Sequence, residues 1–187
     1  RELKGTAPQH DRDVSGGVPR KPQPVGAANS GKSKMVSRII PVDPFDLVIF
    51  GGTGDLAQRK ILPALFRRHC AGQLPGGERI IGAARAALSG EEYRRIVAAA
   101  VRDHCGAGEC DDAALDSFLK RISYVALDVM GTQGWAELSA QVRPAEQVPV
   151  RLFYFSVGPA LFAPLAERLH SYGLTNAATR IVVEKPF

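Results

Sequence analysis

The chain has 187 residues, 45% of them hydrophobic, and a formal net charge of +5. That composition is ordinary for a soluble globular protein, and the lack of any apolar run of about 18 residues argues against a transmembrane helix. The positive charge is localised: residues 1–34 hold seven Lys/Arg against three Asp/Glu, while the remainder is nearly balanced at seventeen against sixteen, which argues against a nucleic-acid-binding face.

Residues 1–34 contain no aromatic residue and nine Gly or Pro, so they offer too little apolar surface to offset the entropy of ordering. Residues 1–40 are therefore read as a disordered or extension segment, with Met35 as a candidate natural initiator, and 41–187 as the folded domain. Within the tail, GAANSGKS (26–33) fits the phosphate-loop pattern G-x-x-x-x-G-K-[ST]. Its flanks do not support that chemistry. Prolines in VPRKPQPV forbid a central strand before it, and Pro41 stops any helix after it.

From Asp46 the pattern becomes that of a folded α/β protein. DLVIF (46–50) reads as a strand buried on both faces, ended by Gly51-Gly52. Leu56 to Ala71 reads as a helix kinked by Pro63. RIIGAA (79–84) is a second buried strand. Ser89 and Glu92 have capping-box spacing and open a helix through about Asp103. A helix over Asp112–Ile122, a strand over 124–129 (YVALDV) and a short helix over Gly134–Val142 follow. The chain closes with a strand over 150–157, a helix over Pro159–Tyr172 and a strand over 180–185. Strands alternating with helices predict a doubly wound parallel sheet of the Rossmann kind.

Cys70, Cys105 and Cys110 are an odd number without a C-x-x-C, which points to a reducing, cytoplasmic setting rather than a disulfide framework. His104, Cys105 and Cys110 lack a second ligand pair at metal-binding spacing, so no metal is expected. No secretory signal is expected either, because the N-terminus has no apolar core segment.

The chemistry concentrates where the first strand enters GGTGDLAQRK (51–60). Gly52-Thr53-Gly54-Asp55-Leu56-Ala57 fits G-x-G-x-x-A. Glycines allow a tight turn and close approach of the backbone to a diphosphate, while Ala57 is small enough for helix to pack on strand. The helix start supplies unpaired N–H groups and the positive end of its dipole. The second strand ends Ala83-Ala84-Arg85 with no acidic residue beside it. An arginine there suits a 2′-phosphate, so NADP is expected over NAD.

Taken in order, GGTGDLAQRK, IIGAAR, RLFYFSVGP and RIVVEKPF resemble the coenzyme domain of the glucose-6-phosphate dehydrogenases over roughly residues 44–187. The resemblance implies NADP-dependent oxidation of D-glucose 6-phosphate to 6-phosphogluconolactone, the entry to the pentose phosphate pathway, by a complete protein that is a homo-oligomer. It implies that Gly51, Gly52, Thr53, Gly54, Asp55, Leu56, Ala57 and Gln58 wrap the coenzyme diphosphate. Arg85 would take the 2′-phosphate, Asp128 and Val129 would lie beside the adenosine, and Tyr154 near the nicotinamide. Lys185 would reach both coenzyme and sugar phosphate. Two departures are visible: Ala86 follows Arg85 where the family commonly has Ser, and Ser156-Val157-Gly158-Pro159 replaces a run ending in two prolines.

The family's general base is a histidine in an Arg-Ile-Asp-His-Tyr-Leu-Gly-Lys-Glu segment, which does not occur up to Phe187. His10, His69, His104 and His170 sit in the tail or near helix ends, so no catalytic residue is assigned, and the chain alone is expected to bind NADP weakly at most and to turn nothing over. The rival reading is a non-catalytic NADP-sensing domain built on the same turn.

Overall fold

The computed structural model describes residues 42–74, 76–106, 111–144, 146–147 and 150–184. The tail, the GAANSGKS stretch, Met35, Cys110 and Lys185 lie outside them. Five strands form one parallel sheet: β1 (Phe45–Phe50), β2 (Arg79–Ala84), β3 (Ile122–Ala126), β4 (Val150–Phe155) and β5 (Thr179–Val183). Their spatial order is β3-β2-β1-β4-β5, so the direction of winding reverses between β1 and β4. In such sheets the crevice opens at the carboxyl ends of the strands flanking that reversal.

Strand alternation builds a core on each face. Leu47 and Ile49 point to one side and pack with α1 (Leu62–Cys70), α2 (Gly90–His104) and α3 (Asp112–Leu119) through Phe66, Val97 and Phe118. Val48 and Phe50 point to the other and pack with α4 (Trp135–Gln141) and α5 (Phe162–Ser171) through Trp135, Leu165 and Leu169. β1 is buried along its whole length, because it is central and covered on both faces. The doubly wound α/β class read from the sequence is the observed one.

Element ends differ from the periodicity where tertiary structure intervenes. The predicted kinked helix becomes a π turn over Ala57–Ile61 followed by α1. Pro63 has no N–H to donate four residues back, and the ladder relaxes by one residue just before it. The predicted Asp112–Ile122 helix stops at Leu119, because Ile122 pairs with Ile80 of β2. The strand expected over 124–129 runs Ile122–Ala126; Leu127 N still bonds Ala84 O of β2, and Asp128 and Val129 form a loop. The Ser89 capping box is present, with the serine hydroxyl and the Glu92 carboxylate each bonding the other's main-chain amide.

Two buried carboxylates pin the amino-terminal edge of the sheet. Asp46 on β1 accepts hydrogen bonds from the Arg143 main-chain N (2.8 Å), Nε (2.9 Å) and Nη2 (2.6 Å). Glu78, just ahead of β2, pairs with Arg121, just ahead of β3. Removing one partner of a buried pair strands the other charge, at a cost of about 3–5 kcal/mol. Asp46→Ala is therefore expected to lower the urea midpoint steeply, by a stability loss of that size; a loss below about 1 kcal/mol would mean the pair is solvated rather than structural.

Candidate functional site

The site starts with a glycine that no other residue could replace. Gly51 has φ +81°, and a Cβ there would stand 2.1 Å from the Ser156 carbonyl oxygen at the end of β4. Both the Gly51 and Gly52 amides donate to Ala83 O at the end of β2, at 2.8 and 3.2 Å. Gly54 N closes the turn on Gly51 O at 2.8 Å. The turn is thus held against both neighbouring strands, directly above the reversal of winding.

Beyond it the chain becomes helical at Asp55, and the first amide to reach back four residues is that of Gln58, to Gly54 O at 3.1 Å. The amides of Asp55, Leu56 and Ala57 precede that first rung, as at any helix start. The Gln58 side chain donates to Thr53 O at 2.6 Å and ties the turn to the helix. Ala57 is fully buried, in keeping with a small residue at the strand–helix contact. Asp55 is exposed and lies 3.6 Å from Arg59, a surface pair of small energetic weight.

In front of the turn lies a cleft of about 480 Å³. Gly51, Thr53 and Gly54 line it from β1, Arg85 from β2, and Asp128 and Val129 from the loop after β3. The structure therefore gathers six of the sequence-predicted positions into one cavity. Gly52 and Ala57 lie behind the turn and support it. Leu56 faces a separate shallow hollow past β4, with Ser156, Pro159 and Phe162. Arg85 is exposed at the rim and has no hydrogen-bond or ion-pair partner among the described residues. Asp128 is fixed by its loop. Its main-chain N donates to Gln133 O (3.2 Å), its carbonyl accepts from Trp135 Nε1 (3.0 Å), and its carboxylate accepts from Met130 N (3.1 Å).

Tyr154 is not in this cleft. It lines a mostly apolar cavity of about 420 Å³ on the α1 side of the sheet, with Phe45, Leu65, Leu152 and Val182. Its hydroxyl donates to the Glu184 carboxylate. Burial, together with that bond and the Glu184 charge, pushes the phenol up to about 12, so it stays protonated. The sequence reading missed Met130, Val157, Gly158 and Leu161, which complete the cleft wall. It also missed Gly82, whose presence inside a buried strand was the available signal for a close approach. A Cβ at Gly82 would meet the Tyr93 ring at 2.3 Å. No cluster of His, Cys, Asp or Glu able to hold a metal occurs among the described residues, and no helix there is long and apolar enough to cross a membrane.

A doubly wound parallel sheet with a glycine turn at the reversal of winding defines the Rossmann-like class of nucleotide-binding domains. Residues 48–187 match the family described as "Glucose-6-phosphate dehydrogenase, NAD binding domain", and the chain belongs to that family. It is 47% identical over 152 residues to a glucose-6-phosphate 1-dehydrogenase of Rhizobium meliloti, covering 81% of this chain and 31% of the relative. A Mycolicibacterium smegmatis counterpart is 42% identical over 149 residues, covering 78% and 30%. The crystal structure of glucose-6-phosphate 1-dehydrogenase from Mycobacterium avium superposes with a TM-score of 0.68 at 32% identity, over 78% of this chain and 30% of that one. The chain thus spans about a third of the length of the curated relatives it matches.

A Cβ at Gly54 would meet Gly51 O at 3.0 Å and no other atom within 4 Å, and Gly54 itself lines the cleft. Gly54→Val is accordingly expected to remove nucleotide binding, read by titration calorimetry, while stability falls by no more than about 1 kcal/mol. Retained binding would place the nucleotide elsewhere.

Proposed function

We propose that this chain is the coenzyme-binding part of an enzyme that oxidises D-glucose 6-phosphate to 6-phosphogluconolactone with NADP⁺ as hydride acceptor. The observation that carries the reading is an Arg85 guanidinium, without a hydrogen-bond or ion-pair partner among the described residues, at the rim of the cleft that the glycine turn closes. Support for a sugar-phosphate substrate comes from a structural neighbour, TM-score 0.66, described as a glucose-6-phosphate dehydrogenase in complex with its substrate glucose-6-phosphate.

In this reading the glycine turn and the amides of Asp55–Ala57 receive the diphosphate, and the helix start favours its negative charge. The Arg85 fork takes the 2′-phosphate through paired charge-assisted hydrogen bonds. Asp128 and Val129 flank the adenosine. Tyr154 acts from the neighbouring flank, through its bond to Glu184, on the strand end that leads into Lys185; Lys185 then serves both coenzyme and sugar phosphate. When bound, the nicotinamide supplies the hydride acceptor, and the protein supplies orientation and charge.

Oxidation at C1 also requires a base within hydrogen-bond reach of the C1 hydroxyl. His69, His104 and His170 lie on α1, α2 and α5, and none lines the cleft. We assign the base to sequence outside this chain. Pure chain supplied with glucose 6-phosphate and NADP⁺ is expected to give no NADPH absorbance; turnover would refute that assignment. Arg85→Asp is expected to weaken NADP⁺ by about 10- to 100-fold, the worth of hydrogen bonds to a charged group, and NAD⁺ far less. Equal losses for both coenzymes would mean that Arg85 does not contact the 2′-phosphate.

A further inference from the structure

Two buried tyrosines stand back to back behind the cleft. Tyr93 comes from α2 and Tyr124 from β3, with ring centroids 4.7 Å apart and planes inclined by 34°. Each carries its hydroxyl to a different part of the cleft wall. Tyr93 Oη donates to Gly52 O at 3.0 Å, in the glycine turn. Tyr124 Oη lies 3.1 Å from Ala84 O and 2.7 Å from Ala86 O, the two carbonyls that straddle Arg85.

The space for this pair is itself built in. Gly82 pairs across the ladder with Tyr124, and its missing side chain is where the Tyr93 ring sits. A Cβ at Gly52 would stand 2.9 Å from the Tyr93 hydroxyl. Arg85 has no hydrogen bond or ion pair among the described residues, so the direction it takes from the sheet depends on the bend at residues 84–86. Tyr124 is the side chain that holds that bend from beneath. Burial raises both phenols, so both remain protonated donors at neutral pH.

We propose that Tyr124 is a positioning residue for coenzyme selection, its hydroxyl holding the Ala84–Ala86 bend so that Arg85 is presented to the 2′-phosphate. The inference rests on the reading of Arg85 given above and deepens it. The tilted ring pair then serves two places at once. Tyr93 sets the turn that serves the diphosphate common to both coenzymes, and Tyr124 sets the bend that serves the phosphate found only in NADP⁺.

The bend can lose this hydroxyl and keep its fold. Ala84 O also accepts from Leu127 N at 2.8 Å, and Ala86 O from Leu88 N at 3.0 Å. Neither carbonyl is left unpaired in Tyr124→Phe, and the ring keeps its place against Tyr93. What is lost is one restraint on where Arg85 starts.

The test measures dissociation constants of NADP⁺, NAD⁺ and adenosine 2′,5′-bisphosphate for the 187-residue chain and its variants, alongside thermal midpoints. Tyr124→Phe is expected to weaken NADP⁺ and the bisphosphate by about three- to tenfold, the worth of one hydrogen bond, and NAD⁺ by no more than about twofold. In an Arg85→Asp background the same substitution should add nothing to the NADP⁺ loss, since the two act as one unit. Tyr93→Phe, by contrast, should weaken both coenzymes alike. Ala86→Gly loosens the same bend without touching the tyrosine and should reproduce the NADP⁺-selective loss even if Tyr124→Phe folds poorly. Equal losses for both coenzymes, or no loss, in Tyr124→Phe and Ala86→Gly overturn the role of Tyr124. If Arg85→Asp stays NADP⁺-selective in that case, the reading of Arg85 stands; if Arg85→Asp is itself unselective, both fall.

Discussion

Everything the cleft does depends on how closely two strand ends can approach. At Gly51 the backbone must take a positive φ and leave no side chain, because the Ser156 carbonyl stands where a Cβ would be. The close approach lets the end of β1 bond both neighbours, Ala83 O on β2 and Ser156 N on β4. With the turn held from both sides, the helix starts at Asp55, at the reversal of winding. A larger residue at this position would push β4 away and lose the crevice along with the turn.

The sheet is made rigid from the opposite end. Asp46 and Arg143 bind β1 to the loop after α4, and Glu78 and Arg121 bind the entry of β2 to the entry of β3, each pair with its carboxylate buried. Such pairs are costly to desolvate and add little net stability, but they allow few alternative arrangements. Fixed at one edge and packed on both faces, the strands deliver their carboxyl ends to defined places. A ligand site formed by three separate strand ends requires that, because no single element holds it.

Much of this was legible in the sequence, for physical reasons. β1, the glycine turn and β2 are local: continuous apolar runs, then residues that only a tight turn requires. The capping box at Ser89 is local too, and α2 begins where it predicts. What escaped the sequence depends on contacts distant in the chain. β3 ends where Asp128 N leaves β2 and turns to Gln133 O, so Asp128 and Val129 belong to a loop rather than a strand. The π turn packs against α2, which lies some thirty residues on, as well as preceding Pro63. Tyr154 follows strand alternation onto the α1 face, while Phe153 and Phe155 face α5, and its motif does not reveal which side carries the cleft. Tyr93 and Tyr124 read as ordinary core residues in any window; their hydroxyl partners lie 41, 40 and 38 residues away.

The two sides of the sheet's carboxyl edge are finished unequally among the described residues. On the β2–β3 side the wall is finished: turn, Arg85 and the Asp128 loop meet around one cavity, backed by Tyr93 and Tyr124. On the β4–β5 side it is open. Ile181 and Val183 of β5 are 45% and 51% exposed, and the cavity holding Tyr154 is mostly apolar. Apolar strand residues left bare on a sheet ordinarily mark a surface that another body covers. In relatives about three times the length of this chain, most of the molecule remains to provide such a body. A walled cleft on one side of the sheet and bare apolar strand residues on the other fit the division of labour proposed above.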